Sequence, residues 1–154
     1  MSKKPQGIVI NRKAKFEYHF IDQHEVGIVL SGAEVKSLRA GYANLNDAYC
    51  YFRKGELWVR SLYIKEYKMA NDYEQDSRRE RKLLMKKAEL LRLEKKVKEK
   101  GYTLIPYRIY FSDRGIIKLE IALAQGKKIH DKRQSIKDKD MNREMDRVKK
   151  GQYE

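Results

Sequence analysis

The sequence predicts a mainly β fold, a closed antiparallel barrel of the oligonucleotide-binding kind with helices packed on it, followed by a flexible, charged C-terminal tail. Three observations predict this class. Apolar residues alternate with polar residues in several short stretches, short turn sequences separate these stretches, and no sustained alternation of strands and helices supports a parallel sheet. Closure into a barrel would leave no exposed strand edges.

Length and composition indicate one domain with one core, because 154 residues at 41% hydrophobic are too few for two. We expect the packed domain to span residues 1–125 and a basic tail to span residues 126–154. The junction lies at GKKIHDKR, Gly126–Arg133, where the alternating sequence gives way to one dominated by charge.

The charge of the chain points to a polyanionic partner. It carries 36 Lys or Arg against 22 Asp or Glu, a formal net charge of +14, which makes nucleic acid or an anionic membrane surface the candidate partners. No apolar run approaches the roughly 20 residues that span a bilayer. The apolar run Ile8–Ile10 is too short for a signal peptide, so we expect a cytoplasmic protein that does not enter membranes.

The motifs of common enzymes are absent from the sequence, which has no phosphate-binding loop, no dinucleotide fingerprint, no nucleophile elbow and no CxxC. His19 and His24 have no third ligand nearby, so a metal site is not expected. The single cysteine, Cys50, excludes an internal disulfide and is more consistent with a small buried side chain than with a reactive thiol. We therefore expect a binding protein without a cofactor.

The first predicted strand covers residues 16–20, where aromatic residues alternate with Lys, Glu and His. Asp22–His24 is predicted to be a turn. Val26–Leu30 is apolar on both faces, which suits a central strand. Gly27 within that strand would allow another backbone, or an RNA backbone, to approach closely.

A short helix and a hairpin follow. Ser31 and Glu34 have the spacing of a capping box for a helix that ends before Gly41. Residues 49–64 then predict a hairpin around the turn Arg53–Glu56. Trp58, inside its second apolar strand, is expected in the core rather than on the surface as a base-stacking platform.

A basic helix is predicted from Arg78 to Lys100, after a loop at Tyr67–Asp76. Ser77 and Glu80 have capping-box spacing. The segment contains eleven Lys or Arg and four Glu, more positive charge than a solvated amphipathic helix needs. Gly101 is its predicted C-terminal cap. The apolar residues that follow its helical period are Leu84, Ala88, Leu90, Leu91, Leu93 and Val97.

The clearest strand signal comes last. Tyr102–Phe111 is extended in character, Ser112–Gly115 is a turn sequence, and residues 117–123 carry Ile or Leu at every second position. Together with the charge, this predicts a barrel that binds RNA, because nothing resembles a DNA-recognition helix. Three tyrosines could stack on unpaired bases, namely Tyr18, Tyr107 and Tyr110.

The sequence contains four motifs, which are NRKAKFEY (Asn11–Tyr18), EVGIVLSGAEVKSLRAG (Glu25–Gly41), RKLLM (Arg81–Met85) and GKKIHDKR (Gly126–Arg133). Together they closely resemble those of the SsrA-binding protein family, SmpB, the partner of transfer-messenger RNA in bacterial trans-translation. The resemblance extends from about Ile8 to about Asp140. It implies a closed antiparallel barrel, no enzymatic activity, and a C-terminal tail that is disordered when free and helical on the ribosome.

The resemblance also implies two sets of contact residues. The barrel of a monomer would bind the tRNA-like domain of transfer-messenger RNA and deliver it to stalled ribosomes, and the tail would probe the empty messenger channel and the decoding region of the small subunit. The RNA-binding set is Asn11, Tyr18, Glu25, Gly27, Leu84 and Lys118. The ribosome-binding set is Gly126, Lys127, Lys128, His130, Asp131, Lys132 and Arg133.

Each RNA-binding assignment has a structural alternative. Asn11 could cap a turn, and Tyr18 and Gly27 could serve strand packing. Glu25 and Lys118 could be solvated charges, and spacing alone makes Leu84 as consistent with the core. The alternative function is a general single-strand RNA-binding protein or RNA chaperone. A membrane-surface protein is a weaker alternative, because the basic helix lacks the aromatic residues of interfacial helices.

Overall fold

The computed structural model describes residues 9–66, 76–127, 133 and 136–143. In this part of the chain nine strands pair antiparallel, and three helices accompany them in addition to the helical residues 136–143, which confirms a mainly β fold with helices. The elements in chain order are β1 (Val9–Ile10), α1 (Ala14–Glu17), β2 (Tyr18–Ile28), α2 (Gly32–Arg39), β3 (Ala43–Asn44), β4 (Tyr49–Arg53), β5 (Glu56–Arg60), β6 (Tyr63–Ile64), β7 (Arg81–Leu84), α3 (Lys87–Lys100), β8 (Thr103–Phe111) and β9 (Ile117–Gly126).

Seven strands form one sheet in the order β1–β8–β4–β5–β7–β2–β9, and β8 also pairs with β9. The pairings therefore run as a ring, with one long side made by β2, β9 and β8. The contact between β4 and β8 is narrow, with only Cys50 opposite Leu104. The strands β3 and β6 pair separately.

The core lies inside the ring, and β9 supplies the clearest part of it. Its predicted alternation is confirmed, since Leu119, Ile121 and Leu123 are fully buried. The strand is also covered on its other face, where Ala122 and Ala124 pack in a second cluster with Ala14 of α1. The alanines are small enough for α1 to lie directly against the sheet. Because β9 is buried on both faces here, its polar groups depend on ladder hydrogen bonds.

The predicted capping box of α2 and the predicted turn of the first hairpin are confirmed, but the second strand of the hairpin ends at Arg60, and Tyr63–Ile64 forms β6, which pairs with β3 instead. The Ser31 hydroxyl accepts from the Glu34 backbone N–H, and the Glu34 carboxylate accepts from the Ser31 backbone N–H, so the capping box is complete. The hairpin joins β4 to β5 through Lys54 and Gly55, both at positive φ (51° and 74°). That backbone twist matches the twist of the flanking strands, and glycine accepts it at no steric cost.

The start of β2 differs from the prediction. Residues 14–17 form one helical turn with Phe16 on the outside, and Asp22–His24 is not a turn but the middle of an eleven-residue strand. The reason is the long partner strand, because β9 offers ladder partners from Gly126 back to Lys118. The pairing of β2 with β9 shifts register between Phe20 and Asp22, and at this point the side chains of β2 change the face of the sheet on which they lie.

The predicted helix over residues 78–100 is also wrong at its start. Residues 81–84 form β7, which pairs with β5 and β2, and the helix begins only at Lys87. Leu90 and Leu93 face the core as predicted, whereas Leu91 is 54% exposed. The Glu80 carboxylate bonds to arginines of the first hairpin instead of capping a helix. The helix does end at Gly101 (φ 65°), as predicted.

Two other core predictions have opposite outcomes. Cys50 is buried, and burial raises the pKa of its thiol, which confirms the prediction of an inert packed side chain. Trp58 is not a core residue, because Leu57 and Val59 take the inward positions of β5. Its ring is half-buried on the outer face, where the Arg53 guanidinium lies 4.4 Å from the ring centroid. Most of the predicted loop, residues 67–75, lies outside the described residues.

No helix in the described ranges is both long and apolar enough to span a membrane.

Candidate nucleic-acid interface

Four of the six residues predicted to bind RNA lie together on the outer face of three adjacent strands. Gly27 of β2 is paired with Leu84 of β7 on one side and with Lys118 of β9 on the other. Glu25 lies two residues before Gly27 on the same face of β2 and is exposed. We call Glu25, Gly27, Leu84 and Lys118 the Gly27 patch.

Gly27 brings the strands of this patch close together. A Cβ atom at this position would lie 3.2 Å from the Cβ of Leu84, tighter than ordinary side-chain contact. The close approach predicted at Gly27 is therefore made, in this structure, by the Leu84 side chain. Leu84 itself is 52% exposed, so it is not a core residue and offers an apolar surface to solvent.

Two carboxylates, those of Glu25 and Glu120, lie next to each other at this patch. Glu25 lies directly opposite Glu120, and repulsion between the two negative charges destabilises this arrangement. The guanidinium of Arg108 pairs with Glu120 and compensates it. Within the described ranges Glu25 has no ion-pair partner, so its carboxylate is available to accept hydrogen bonds from a ligand. Sequence reasoning did not identify Arg108 or Glu120, whose pairing depends on the register of β8 and β9.

Asn11 and Tyr18 lie in a different place. Asn11 is 4% exposed, and its amide nitrogen donates to the carbonyls of Leu45 (3.3 Å) and Pro106 (3.5 Å). This side chain joins the end of β1 to β8 and to the segment before β4. Its Oδ1 is buried and has no hydrogen-bond partner among the described residues. Asn11, Tyr18 and Tyr49 are among the residues that line a cleft of about 230 Å³.

The three tyrosines proposed for base stacking are not equally available. Tyr110 is 8% exposed, with the Arg108 guanidinium 4.8 Å from its ring centroid, so that assignment is wrong. Tyr107 is half-buried, edge-on to Phe20 at 5.2 Å between ring centroids. Tyr18 is also half-buried, beside Gly126.

The predicted ribosome-binding residues begin where β9 ends. Gly126 is the last residue of β9, and the backbone N–H of Lys127 donates to the carbonyl of Glu17 (2.9 Å). Arg133 and residues 136–143 are helical, with their side chains exposed. Lys128, His130, Asp131 and Lys132 lie outside the described residues.

The two histidines considered as metal ligands both lie in β2 but have different surroundings. His24 lies 3.1 Å from the Asp22 carboxylate, on the side of the strand that faces α3, and His19 is exposed. In the part of the chain that the structure describes, no three His, Cys, Asp or Glu residues are grouped to hold a metal ion.

Comparison with known proteins identifies the family. Residues 8–151 match the family described as SmpB protein. The chain is 51% identical over 146 residues to the SsrA-binding protein of Phocaeicola vulgatus, covering 94% of this chain and 97% of that protein. It is also 51% identical over 141 residues to the SsrA-binding protein of Desulforamulus reducens, covering 92% and 88%.

A solved structure agrees with the sequence matches. A chain in "tmRNA-SmpB: a journey to the center of the bacterial ribosome" superposes with a TM-score of 0.68 at 42% identity, covering 84% of this chain and 94% of that one. The resemblance carried by the four motifs is thus confirmed over nearly the whole length of the sequence. The chain belongs to the SmpB family of SsrA-binding proteins.

Proposed function

We propose that this chain binds the tRNA-like domain of transfer-messenger RNA and delivers it to stalled ribosomes for trans-translation. The observation that carries the proposal is the convergence of Glu25, Gly27, Leu84 and Lys118 on three neighbouring strands, although up to 93 positions separate them in sequence. The names of the relatives, SsrA-binding protein, and the solved structure of SmpB with tmRNA support it.

The chemistry of the Gly27 patch suits a folded RNA. Lys118 supplies a cation for a phosphate, and the Glu25 carboxylate can accept from a base amino group or a ribose 2′-hydroxyl. Leu84 offers an apolar surface for a sugar or a base. A net charge of +14 steers the polyanion toward the protein but does not select it. Selection therefore depends on the patch, and the activity is binding without a cofactor or a chemical step.

The proposal divides the chain into two working parts. Residues 1–125 form a closed, barrel-like body that holds the RNA, and Asn11 and Tyr18 contact it from the cleft beside α1. Residues 126–154 form a tail that is disordered when free and becomes helical in the empty messenger channel. Ordering on binding lowers the affinity of such a tail, which suits a probe that should bind only a vacant channel.

In the tail, we propose that His130 stacks on a base of the decoding region. The cations Lys127, Lys128, Lys132 and Arg133 would contact phosphates of the small subunit, and Gly126 and Asp131 complete the proposed ribosome-binding set. Residues 136–143 are helical with exposed side chains, which supports the proposal that the tail can form a helix in the messenger channel.

The test is a titration of the full chain with the tRNA-like domain and with an unstructured RNA of equal length. The expected result is tighter binding of the tRNA-like domain, weakened by Glu25→Ala and by Lys118→Ala with the fold retained. Lys100→Ala, on the exposed last turn of α3, is the matched control and should bind as the wild type does. Equal affinity for both RNAs would support a general single-strand RNA-binding protein instead.

A further inference from the structure

A second group of surface side chains lies on the outer face of β4 and β5, the first hairpin. Tyr51 and Trp58 are directly opposite each other, and so are Tyr49 and Arg60. The guanidinium of Arg60 lies 4.8 Å from the ring centroid of Tyr51, and that of Arg53 lies 4.4 Å from that of Trp58. We call these five residues the aromatic–arginine surface.

Glu80, just before β7, fixes both guanidiniums of this surface. Its carboxylate accepts from Nη1 of Arg53 at 3.1 Å and from Nε of Arg60 at 2.8 Å. Nη2 of Arg60 donates to the same oxygen of the Glu80 carboxylate, so two hydrogen bonds hold the Arg60 guanidinium. The two arginine side chains remain 49% and 47% exposed. Each guanidinium is therefore oriented by a ring and a carboxylate, while about half of its side chain is exposed to solvent.

Exposed ion pairs contribute little to stability, and cation–π contacts at exposed sites are weak. Packing thus gives no strong reason to concentrate two arginines and three aromatic rings on one solvent-facing hairpin. Stacked guanidiniums and rings are, however, the groups that bind unpaired bases, and arginine adds a bond to phosphate. Among the described residues, positive charges also outnumber negative charges around this surface, where Lys54 and Lys82 accompany the two arginines and Glu56 and Glu80 oppose them.

The aromatic–arginine surface is continuous with the Gly27 patch. Lys82 of β7 lies directly opposite Trp58, and Leu84 follows two residues later on the same face of that strand. An RNA bound at Gly27 and Leu84 therefore reaches Trp58 by extending across one strand, about 5 Å, and two residues along it, about 7 Å.

We propose that the aromatic–arginine surface is a further RNA-binding site, which receives an adjoining unpaired segment of the same RNA that the Gly27 patch binds. A base stacks on the Arg53 or Arg60 guanidinium, and the neighbouring phosphate accepts from Arg60 or Lys82. The inference rests on the proposed function, and it assigns to the hairpin a part of the RNA footprint that none of the sequence motifs contains.

Trp58 provides a direct test, because it is the single tryptophan of the chain. Saturating the full-length protein with the tRNA-like domain should quench or shift the emission of Trp58. Arg60→Lys keeps the charge but loses the planar guanidinium, and it should weaken binding about fivefold or more, the low end of what a stacked base contributes. Trp58→Ala should weaken binding by a similar factor, with thermal unfolding measured in parallel.

The outcomes separate this inference from the proposed function. The inference is overturned if saturating RNA leaves the Trp58 emission unchanged and the Arg60→Lys variant binds RNA with wild-type affinity. If the Glu25→Ala variant loses RNA binding in the same experiment, the proposed function still stands. Wild-type affinity for Arg60→Lys, Glu25→Ala and Lys118→Ala together overturns both. If Trp58→Ala fails to fold, the Arg60→Lys affinity and the wild-type emission decide the matter.

Discussion

Glu34 and Arg81 form a buried ion pair that joins the first residues of α2 to the first residue of β7, across 47 positions of sequence. The Arg81 side chain is fully buried and also donates to the carbonyls of Leu62 (2.6 Å) and Ser77 (3.2 Å). The same Glu34 carboxylate completes the capping box with Ser31. One carboxylate thus caps a helix and fixes the strand that carries Leu84 to its place beside Gly27.

Removing the charge of Glu34 should destabilise the fold strongly. In Glu34→Gln the Arg81 guanidinium stays buried but loses its counter-ion, and breaking a buried pair in this way costs about 3 kcal/mol or more. The measurement is the free energy of unfolding from urea denaturation at neutral pH. Glu89→Gln, on the exposed side of α3, is the control and should change little. A loss of less than about 1 kcal/mol would mean that the pair is dispensable.

The same carboxylate should make stability depend on acidic pH. Burial by itself raises the pKa of Glu34, but the hydrogen bonds from Arg79, Ser31 and Arg81 outweigh it, so the pKa is held below its ordinary 4.5. A lowered pKa in the folded state contributes stability that is complete above pH 4.5 and is lost as pH falls through the folded value.

Urea denaturation of the wild type and of Glu34→Gln across pH 3 to 7 tests the direction of this pH dependence, because the glutamine side chain does not titrate. The gap between the two proteins should be widest at neutral pH and should narrow below pH 4.5. A gap that stays constant through that range would contradict the lowered pKa.

Local chemistry made part of this fold predictable from sequence. The Ser31–Glu34 capping box and the positive-φ turn at Gly55 depend on residues within a few positions of each other, and both are confirmed. The motif RKLLM was misinterpreted as helix because its two leucines fit a helical period as well as a strand. What decides the strand is pairing with Leu57 and Gly27, which are distant in sequence.

The candidate site was predictable only in part for the same reason. Resemblance to a family identified Glu25, Gly27, Leu84 and Lys118, but only the sheet register places them side by side. Arg60 gave no signal, because a single arginine in a strand is ordinary until Tyr51 and Glu80 are found beside it.

Gly27 should tolerate a methyl group poorly. In Gly27→Ala the new Cβ would lie 3.2 Å from the Leu84 Cβ, so β7 and β2 must move apart by a few tenths of an ångström. We expect a loss of roughly 1 kcal/mol in the free energy of unfolding, typical of mild overpacking, and weaker binding of the tRNA-like domain because Leu84 and Lys118 are displaced.

Gly32→Ala is the matched control for that change. A Cβ at Gly32, the first residue of α2, meets nothing within 4 Å, and alanine there lowers the entropy of the unfolded chain. Its stability should be equal to or slightly above that of the wild type, and its RNA affinity should be unchanged. Equal behaviour of the two alanine variants would show that the contact between Gly27 and Leu84 is not limiting.

The division between body and tail predicts a sharp boundary for truncation. Ending the chain after Lys127 keeps the pairing of Gly126 with Tyr18 and the hydrogen bond from the Lys127 N–H to Glu17. The stability of the body should then be unchanged. Its affinity for the tRNA-like domain should fall by no more than about a factor of two, because only the positive charge of the tail is lost. Tagging of stalled products in a reconstituted translation reaction should be abolished.

Ending the chain two residues earlier, after Gln125, is the informative comparison. This cut removes the last ladder pair of β9 and the bond to Glu17, so it should cost about 1 kcal/mol of unfolding free energy, the net value of a lost hydrogen bond or two. Both truncations should fail in tagging. If the chain ending at Lys127 loses affinity for the tRNA-like domain tenfold or more, about 1.4 kcal/mol, the tail takes part in RNA binding and the two-part division is wrong.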